Sequence, residues 1–540
     1  MSEEARLTRR EMVDRVARLA AALLNLGMQE GDRVAMLAPN GQRYVEFYFG
    51  VLWGGGIVVP VNSRFALAEM IEQVRDAEPV VLIVEGAFVD IGEELARSVP
   101  SIKALLIAGK ADASGHDARS VGYEDALHAA KPAPDAMPRE DDIACLFYTG
   151  GTTGRSKGVM LSHGNLWANA MATIAHLHLD DSLVHLHSGP LFHLGAGGRV
   201  YATAVAGGKH VVISRFTPEL ALSTIAREKV TVATFVPTML SMLLQLPDLE
   251  RYDLSSLRLI TYGASPMPEA VLQECLKRLP HIRFAQSYGM TELSPVATML
   301  GTEQHTLNAP PGRLRSAGRP VYSAEVRIVD PGDNELPRGQ VGEIVVRGPI
   351  VMKGYWRRPE LTAQTLRGGW MHTGDAGYFD DEGFLFVADR IKDMIISGGE
   401  NVYSVEVENA ICSHPDVSQC AVIGIPDQRW GEAVHAIVVP RAGVATLSAD
   451  SIVMHCRTLI AGYKCPRSID LRDEPLPLSS VNKVDKAVLR DPFWKDRTRR
   501  VNCYRLGVEP PHSVRASSLS VCGHSPAARM PANTANCNDG

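Results

Sequence analysis

The stretch Phe147–Asn165, FYTGGTTGRSKGVMLSHGN, sets Thr149, Gly150, Gly151, Thr152, Thr153 and Gly154 between a strand-like run and a lysine, Lys157. Glycines let a backbone approach an anion and turn successive N–H groups towards it. The hydroxyls of Thr149, Thr152, Thr153 and Ser156 add donors, and Lys157 adds charge. A Walker A loop needs GxxxxGK[ST] between a strand and a helix. Here Lys157 follows Ser156, so the stretch is not a P-loop. Alone it reads as an anion-holding loop, with a plain Gly/Thr/Ser linker as the alternative.

The run before the loop, Ile143–Tyr148, is one of many. Arg33–Leu37, Val80–Val84, Ala104–Ile107, His210–Ile213, Thr231–Phe235, Leu257–Tyr262 and Arg283–Ser287 are short apolar runs bounded by Gly, Pro, Asp or Asn. Helical patterns separate several of them, and Met12–Leu26 carries helical spacing up to Gly27. That alternation predicts α/β architecture with mostly buried strands. After Arg313 the texture changes. Val326–Val329, Glu343–Arg347 and Phe384–Val387 read as strands joined by Gly/Asp/Pro turns, which predicts a β-rich, more antiparallel subdomain. A second α/β unit starts near Asp393, with a helix at Val405–Cys412 and strands at Gln419–Ile423 and Val434–Val439. Residues 504–540, rich in Pro, Ser, Ala, Asn and Gly, are expected to be disordered.

A chain of 540 residues exceeds one small core. With 45% hydrophobic and 21% charged residues it has the composition of a globular protein. The net charge of -6 argues against a nucleic-acid partner, so a phosphate ligand must meet locally placed cations and N–H groups. Nine cysteines without CxxC spacing read as free thiols in a reducing cytoplasm rather than a zinc site. No signal-peptide pattern opens the chain, and no apolar run reaches the ~20 residues of a membrane span.

Four further segments carry chemistry. YGMTE (Tyr288–Glu292) gives a ring, a hydroxyl and a carboxylate after a strand, and HTGDAGYFDDEGF (His372–Phe384) sets Asp375 in a turn. DRIKDMIISGGENVYSVEVE (Asp389–Glu408) follows a strand, and LPLSSVNKVDKAVLR (Leu476–Arg490) lies near the C-terminus. Singly, these read as a core Tyr with a capping Thr, an Asx-turn Asp, a charged hinge and a Lys-rich helix start. Together and in this order they resemble the adenylate-forming superfamily of acyl- and aryl-CoA synthetases, peptide-synthetase adenylation domains and firefly luciferases, over about residues 5–500.

The resemblance implies a large N-terminal AMP-binding (adenylation) domain, residues 1–389, of stacked α/β subdomains plus a β-rich subdomain. A hinge at 390–392 and a small mobile α+β C-terminal domain at 393–500 follow, with a tail at 501–540. It implies ATP, Mg²⁺ and coenzyme A as cofactor and cosubstrates, a small-molecule carboxylic acid as substrate, and a monomer or homodimer. By resemblance the Thr149–Lys157 loop holds the β- and γ-phosphates. Tyr288 stacks on adenine, and Gly263, Ala264 and Ser265, with Gln286, Ser287 and Gly289, line the nucleotide site. Thr291 meets the α-phosphate, while Glu292 and Thr149 serve Mg²⁺, which prefers oxygen ligands. Asp375 and Arg390 hold the ribose, Lys392 is the hinge residue, and Ser397, Gly398 and Gly399 admit the pantetheine arm. Lys483 is the adenylation lysine, and His193 stands between acyl pocket and thiol tunnel, with a satisfied core histidine as the alternative.

Three departures from the family pattern stand out. Asn482 replaces the usual glycine before the lysine, and Asn tolerates positive φ better than most residues. The opening matches a region the family reaches after some tens of residues, so a truncated start is expected. The tail matches nothing in the family pattern. The segments SGGENVYSVEVE and PDQRWGEAV (Pro426–Val434) look most like acyl-CoA synthetases. Around the expected acyl pocket, Gly195, Ala196, Gly197, Gly198, Ala264 and Ser287 are small. They leave room for a medium- or long-chain fatty acid, the expected substrate, or serve helix packing. The alternatives are a coumarate- or ferulate-like aryl acid, or a catalytically impaired adenylate-binding relative. No fixed basic residue meant for a dicarboxylic acid stands out there, although Arg199 could be one.

Overall fold

The computed structural model describes residues 5–109, 119–149, 156–391, 393–441, 443–444, 447–479 and 483–495. All fall in one compact unit, Met1–Arg499. Gly150–Gly154, Lys392, Asn482 and the expected tail lie outside the described residues.

Four sheets organise this unit. The first has eight strands, in the order Gly354–Tyr355, Lys157–Ser162, Ile143–Thr149, Ile57–Pro60, Arg33–Leu37, Val81–Glu85, Ala104–Ala108 and Ser120–Gly122. The six strands from Ile143–Thr149 to Ser120–Gly122 pair in parallel, and Lys157–Ser162 closes that edge antiparallel. Parallel strands covered on both faces need apolar runs without alternation. Val81–Glu85, VLIVE, supplies one, with its first four residues buried. The second sheet has seven strands, with Leu259–Gly263 between Val232–Phe235 and Arg283–Tyr288. Its far strands, Thr298–Leu300 and Arg319–Pro320, turn antiparallel.

The third sheet is wholly antiparallel, as the texture after Arg313 predicts: Glu325–Val329, Gly342–Arg347, Met371–Phe379 and Leu385–Arg390. The fourth joins Glu400–Val402, Ile395–Ser397, Gly431–Pro440 and Val417–Asp427, with Ser468–Leu471 parallel to Gly431–Pro440. Among the described residues no helix is long and apolar enough to cross a membrane.

Helices cover the sheets through single apolar faces. Arg9–Asn25 buries Val16, Leu19, Ala20 and Leu23, spaced for one face. Thr8 starts it with a capping box: its hydroxyl accepts from Glu11 N at 3.3 Å, and its own N–H donates to Glu11 Oε2 at 2.7 Å. The face packs with Phe47, Tyr48 and Phe147 in one core cluster, where each fully buried large side chain contributes about 1.5–3 kcal/mol.

Two expectations change. Asp375 sits in no turn; it lies within the strand Met371–Phe379, paired with a neighbour on each side. The glycines around it mark irregularity rather than reversal. Gly374 has φ +71°, and the register slips between Ala376 and Gly377 as a bulge does. The run from Lys157 is a strand that the spacing did not signal; Lys157–Ser162 pairs antiparallel with Ile143–Thr149 and leads into a helix capped by Ser162.

Candidate active site

The hairpin brings Thr149 and Lys157 opposite each other as backbone partners. Ser156 Oγ donates to the Thr149 carbonyl at 3.2 Å. Lys157 then lays its ammonium 4.7 Å from the centre of the Tyr355 ring. Tyr355 Oη donates to Glu292 Oε1 at 2.8 Å, and burial together with that carboxylate pushes its phenol up. Further along, Ser162 caps the helix His163–Leu177 in a second capping box with Asn165. Asn165 Nδ2 donates to the carbonyls of Pro349 and Val351 at 2.7 and 2.9 Å, which fixes the segment that leads to Tyr355.

Glu292 lies in a short 3-10 turn, Thr291–Leu293, and is 4% exposed. Its Oε1 is taken by Tyr355, and Oε2 has no protein donor among the described residues. A carboxylate oxygen with no protein donor among the described residues suits a hard cation such as Mg²⁺. Among the described residues no group of three His, Cys, Asp or Glu could hold a metal ion alone. A cation at Glu292 therefore needs further oxygens from a ligand such as a phosphate.

A second cluster gathers residues far apart in sequence. Tyr288 ends the strand Arg283–Tyr288, and its hydroxyl donates to Asp375 Oδ2 at 2.8 Å. Asp375 and Arg390 are cross-strand partners, with Arg390 Nε 3.7 Å from Asp375 Oδ1. Burial holds the Asp375 carboxyl above the usual carboxylate range, against the pull of Arg390, the Tyr288 hydroxyl and Lys483. Burial also raises the Tyr288 phenol well up, and the Asp375 charge adds to it. Lys483 is pushed down to about 8, by burial first and Arg390 second, while Asp375 opposes them. The lysine, the arginine and the carboxylate thus share one electrostatic neighbourhood. The Lys483 carbonyl is held by Ser479 N at 2.7 Å.

The strand next to Tyr288 is shaped by one glycine. A Cβ on Gly263 would lie 2.2 Å from the Ser287 carbonyl, its parallel partner, so only glycine fits. Ala264 follows in a left-handed conformation, φ +70°, and Ser265 lies in the bend after it. Gln286 Oε1 is buried without a hydrogen-bond partner in this strand. A Cβ on Gly289 would meet the Pro295 carbonyl at 2.0 Å, which keeps the chain after Tyr288 tight.

Of the residues expected on the acyl side, Gly195, Ala196, Gly197 and Gly198 fall on the helix Leu194–Val205, with His193 at its N-cap and the Phe192 ring 4.7 Å from the imidazole. Of the small residues, Gly197 faces Tyr48 Oη and Gly198 faces the Pro295 ring, at 2.5 and 2.9 Å from an added Cβ. Those two serve close packing, whereas Gly195 has nothing within 4 Å. Ser397, Gly398 and Gly399 form a hairpin turn. Gly398 has φ +63°, its N–H donates to the Trp430 carbonyl at 2.8 Å, and a Cβ there would strike the Trp430 ring.

Tyr355, which joins Lys157 to Glu292, escapes a reading of the sequence. It stands in MKGYWRRPE, a segment without periodicity, and only its partners reveal it.

Comparison with known proteins bears on all of this. A family model described as AMP-binding enzyme matches residues 1–356, and one described as AMP-binding enzyme C-terminal domain matches residues 406–483. The chain is 40% identical over 492 residues to a feruloyl-CoA synthase of an Amycolatopsis species, covering 90% of this chain and 94% of that one. It is 34% identical over 524 residues to a long-chain-fatty-acid–CoA ligase of Escherichia coli, covering 90% of each. The solved structure of ATP-bound MatB from Rhodopseudomonas palustris superposes with a TM-score of 0.81 at 31% identity, covering 93% of this chain and 95% of that one.

Proposed function

The chain belongs to the AMP-binding enzyme family, and from that premise we propose how its own residues carry an AMP-forming acid–CoA ligation. In the first step the acid's carboxylate attacks the α-phosphorus of ATP and pyrophosphate leaves. In the second the thiol of coenzyme A attacks the acyl-adenylate, losing its proton, and AMP leaves. The observation that carries the assignment is the shared neighbourhood of Lys483, Asp375 and Arg390.

In this reading the loop from Thr149 to Lys157 holds the departing pyrophosphate, where N–H and ammonium donors stabilise growing charge. Glu292, with Thr149, would hold Mg²⁺, and the ion would neutralise phosphate charge. Thr291 meets the α-phosphate. Tyr288 supports the adenine, flanked by Gly263, Ala264, Ser265, Gln286, Ser287 and Gly289. Asp375 accepts from the ribose hydroxyls and Arg390 fixes the sugar edge. Lys483 bridges carboxylate and α-phosphate as negative charge builds between them. The small domain, 393–500, then turns about Lys392, which withdraws Lys483 and brings Ser397–Gly399 in for the pantetheine arm. His193 stands between acyl pocket and thiol path.

For the acid, an aryl-propenoic compound takes first place, supported by the 40% identity to a feruloyl-CoA synthase. A medium- or long-chain fatty acid, favoured by the motifs alone, is the second reading. The ligases named for long-chain fatty acids and the open space at Gly195 support it. The test is pyrophosphate release and thioester formation by the purified protein with ATP, Mg²⁺ and coenzyme A, over straight-chain and aryl acids. Turnover of hydroxycinnamic acids above all others is expected. Turnover of long-chain acids alone supports the second reading, and no release with any acid contradicts the enzyme assignment.

A further inference from the structure

Two arginines are buried among the described residues, Arg199 at 7% exposure and Arg313 at 6%. Arg313 is provided for: its guanidinium pairs with Glu382 at 2.6 Å, bonds Gln304 at 3.0 Å and stacks on Phe384. Arg199 is not. The one hydrogen bond of its guanidinium among the described residues runs from Nη2 to Ser287 Oγ at 3.1 Å, and it has no ion pair there. A guanidinium offers five N–H donors. A buried cation with one neutral partner is costly to keep, and such groups are normally paired.

The surroundings supply no hidden counter-charge. The neighbouring His185 spends both ring nitrogens on hydroxyls, Thr203 at 2.9 Å and Thr234 at 3.0 Å. His187 and His210 bond each other at 3.0 Å. Burial pushes the His185 imidazole down to about 3 and the His210 imidazole to about 4, so both are neutral. Arg199 follows Gly198 on the helix that His193 opens, and Ser287 immediately precedes Tyr288. The unpaired donors therefore sit beside the segment that joins the nucleotide cluster to the acyl side.

We propose that Arg199 is a specificity residue that donates to a second oxygen of the acid substrate, remote from the reacting carboxylate. The substrate class is then an oxygenated acid, bearing a phenol, ketone or second carboxylate, and an unsubstituted chain is selected against. This rests on the acid–CoA ligase reading above. A plain chain end would leave the guanidinium without an acceptor, and sites built to hydrogen-bond a substrate discriminate strongly against analogues that lack the group.

The experiment uses matched acids on the full chain: 4-hydroxycinnamate against cinnamate, and azelate against nonanoate. The wild type is expected to show kcat/KM at least ~10-fold higher for an oxygenated member of a pair. In Arg199→Met that ratio should collapse towards one, and Arg199→Lys should restore part of it. A purely structural arginine would lower both members together and leave the ratio intact; that result overturns the proposal, as does a wild type without preference in either pair. If no acid releases pyrophosphate, the ligase reading fails by itself. Thermal-shift titration with the same acids then decides: stabilisation by the oxygenated acid, lost in Arg199→Met, supports the proposal, and equal shifts overturn it.

Discussion

The proposed role of Lys483 rests on its environment. Its ammonium is held down near 8 by burial and Arg390, and Asp375 keeps it from falling further. At pH 7 most of it is charged, and that charge disappears as pH rises through about 8. In the proposed mechanism the charged form is the one that bridges carboxylate and phosphate. The kcat/KM of adenylation, which reports groups of the free enzyme, is therefore expected to fall on an alkaline limb near pH 8. Pyrophosphate exchange followed from about pH 6 to about pH 10 checks this, and a flat profile contradicts it. Lys483, Asp375, Arg390, Tyr288 and Glu292 can be singled out as candidates because each lies in a short, distinctive motif, and the fold brings Tyr288, Asp375 and Arg390 together. Their partners were not legible in this way. Tyr355 reaches Glu292 across 63 positions and Arg199 reaches Ser287 across 88, and no local pattern encodes such pairs.

At the scale of elements, buried parallel strands declared themselves as apolar runs, because sheets covered on both faces need no polar alternation. The strand Lys157–Ser162 was hidden by the glycine-rich stretch before it, and the strand around Asp375 by glycines that mark a bulge. A polar chain also links the third sheet to the helices beyond residue 393. Asp389 Oδ2 accepts from both the N–H and the hydroxyl of Ser404 at 2.7 Å. Lys486 Nζ donates to Ser404 Oγ at 2.6 Å and lies 2.6 Å from Glu408 Oε1. Removing one member of a largely buried pair strands its partner. Lys486→Met is expected to destabilise the protein by about 3 kcal/mol, read from denaturant unfolding. A loss below about 0.5 kcal/mol, the scale of an exposed pair, would show that the contact contributes little.

Across the whole molecule, the succession of a large α/β part, an antiparallel sheet and a further unit of strands and helices followed from texture: apolar runs with helical patterns, then turn-rich strands, then a second alternation. Which residues of distant segments meet is decided by the stacking of four sheets, and composition is silent on it. In the proposed mechanism two chemical steps share one lysine, Lys483, which acts in the first and is withdrawn for the second. The most direct measurement separates the steps in Lys483→Ala. Pyrophosphate exchange should fall by at least ~100-fold, the scale of losing a preorganised charge from a transition state. Thioester formation from supplied acyl-adenylate and coenzyme A should change by less than ~3-fold, since the lysine has no part in that transition state. Undiminished exchange by the variant, or equal loss in both steps, contradicts the account.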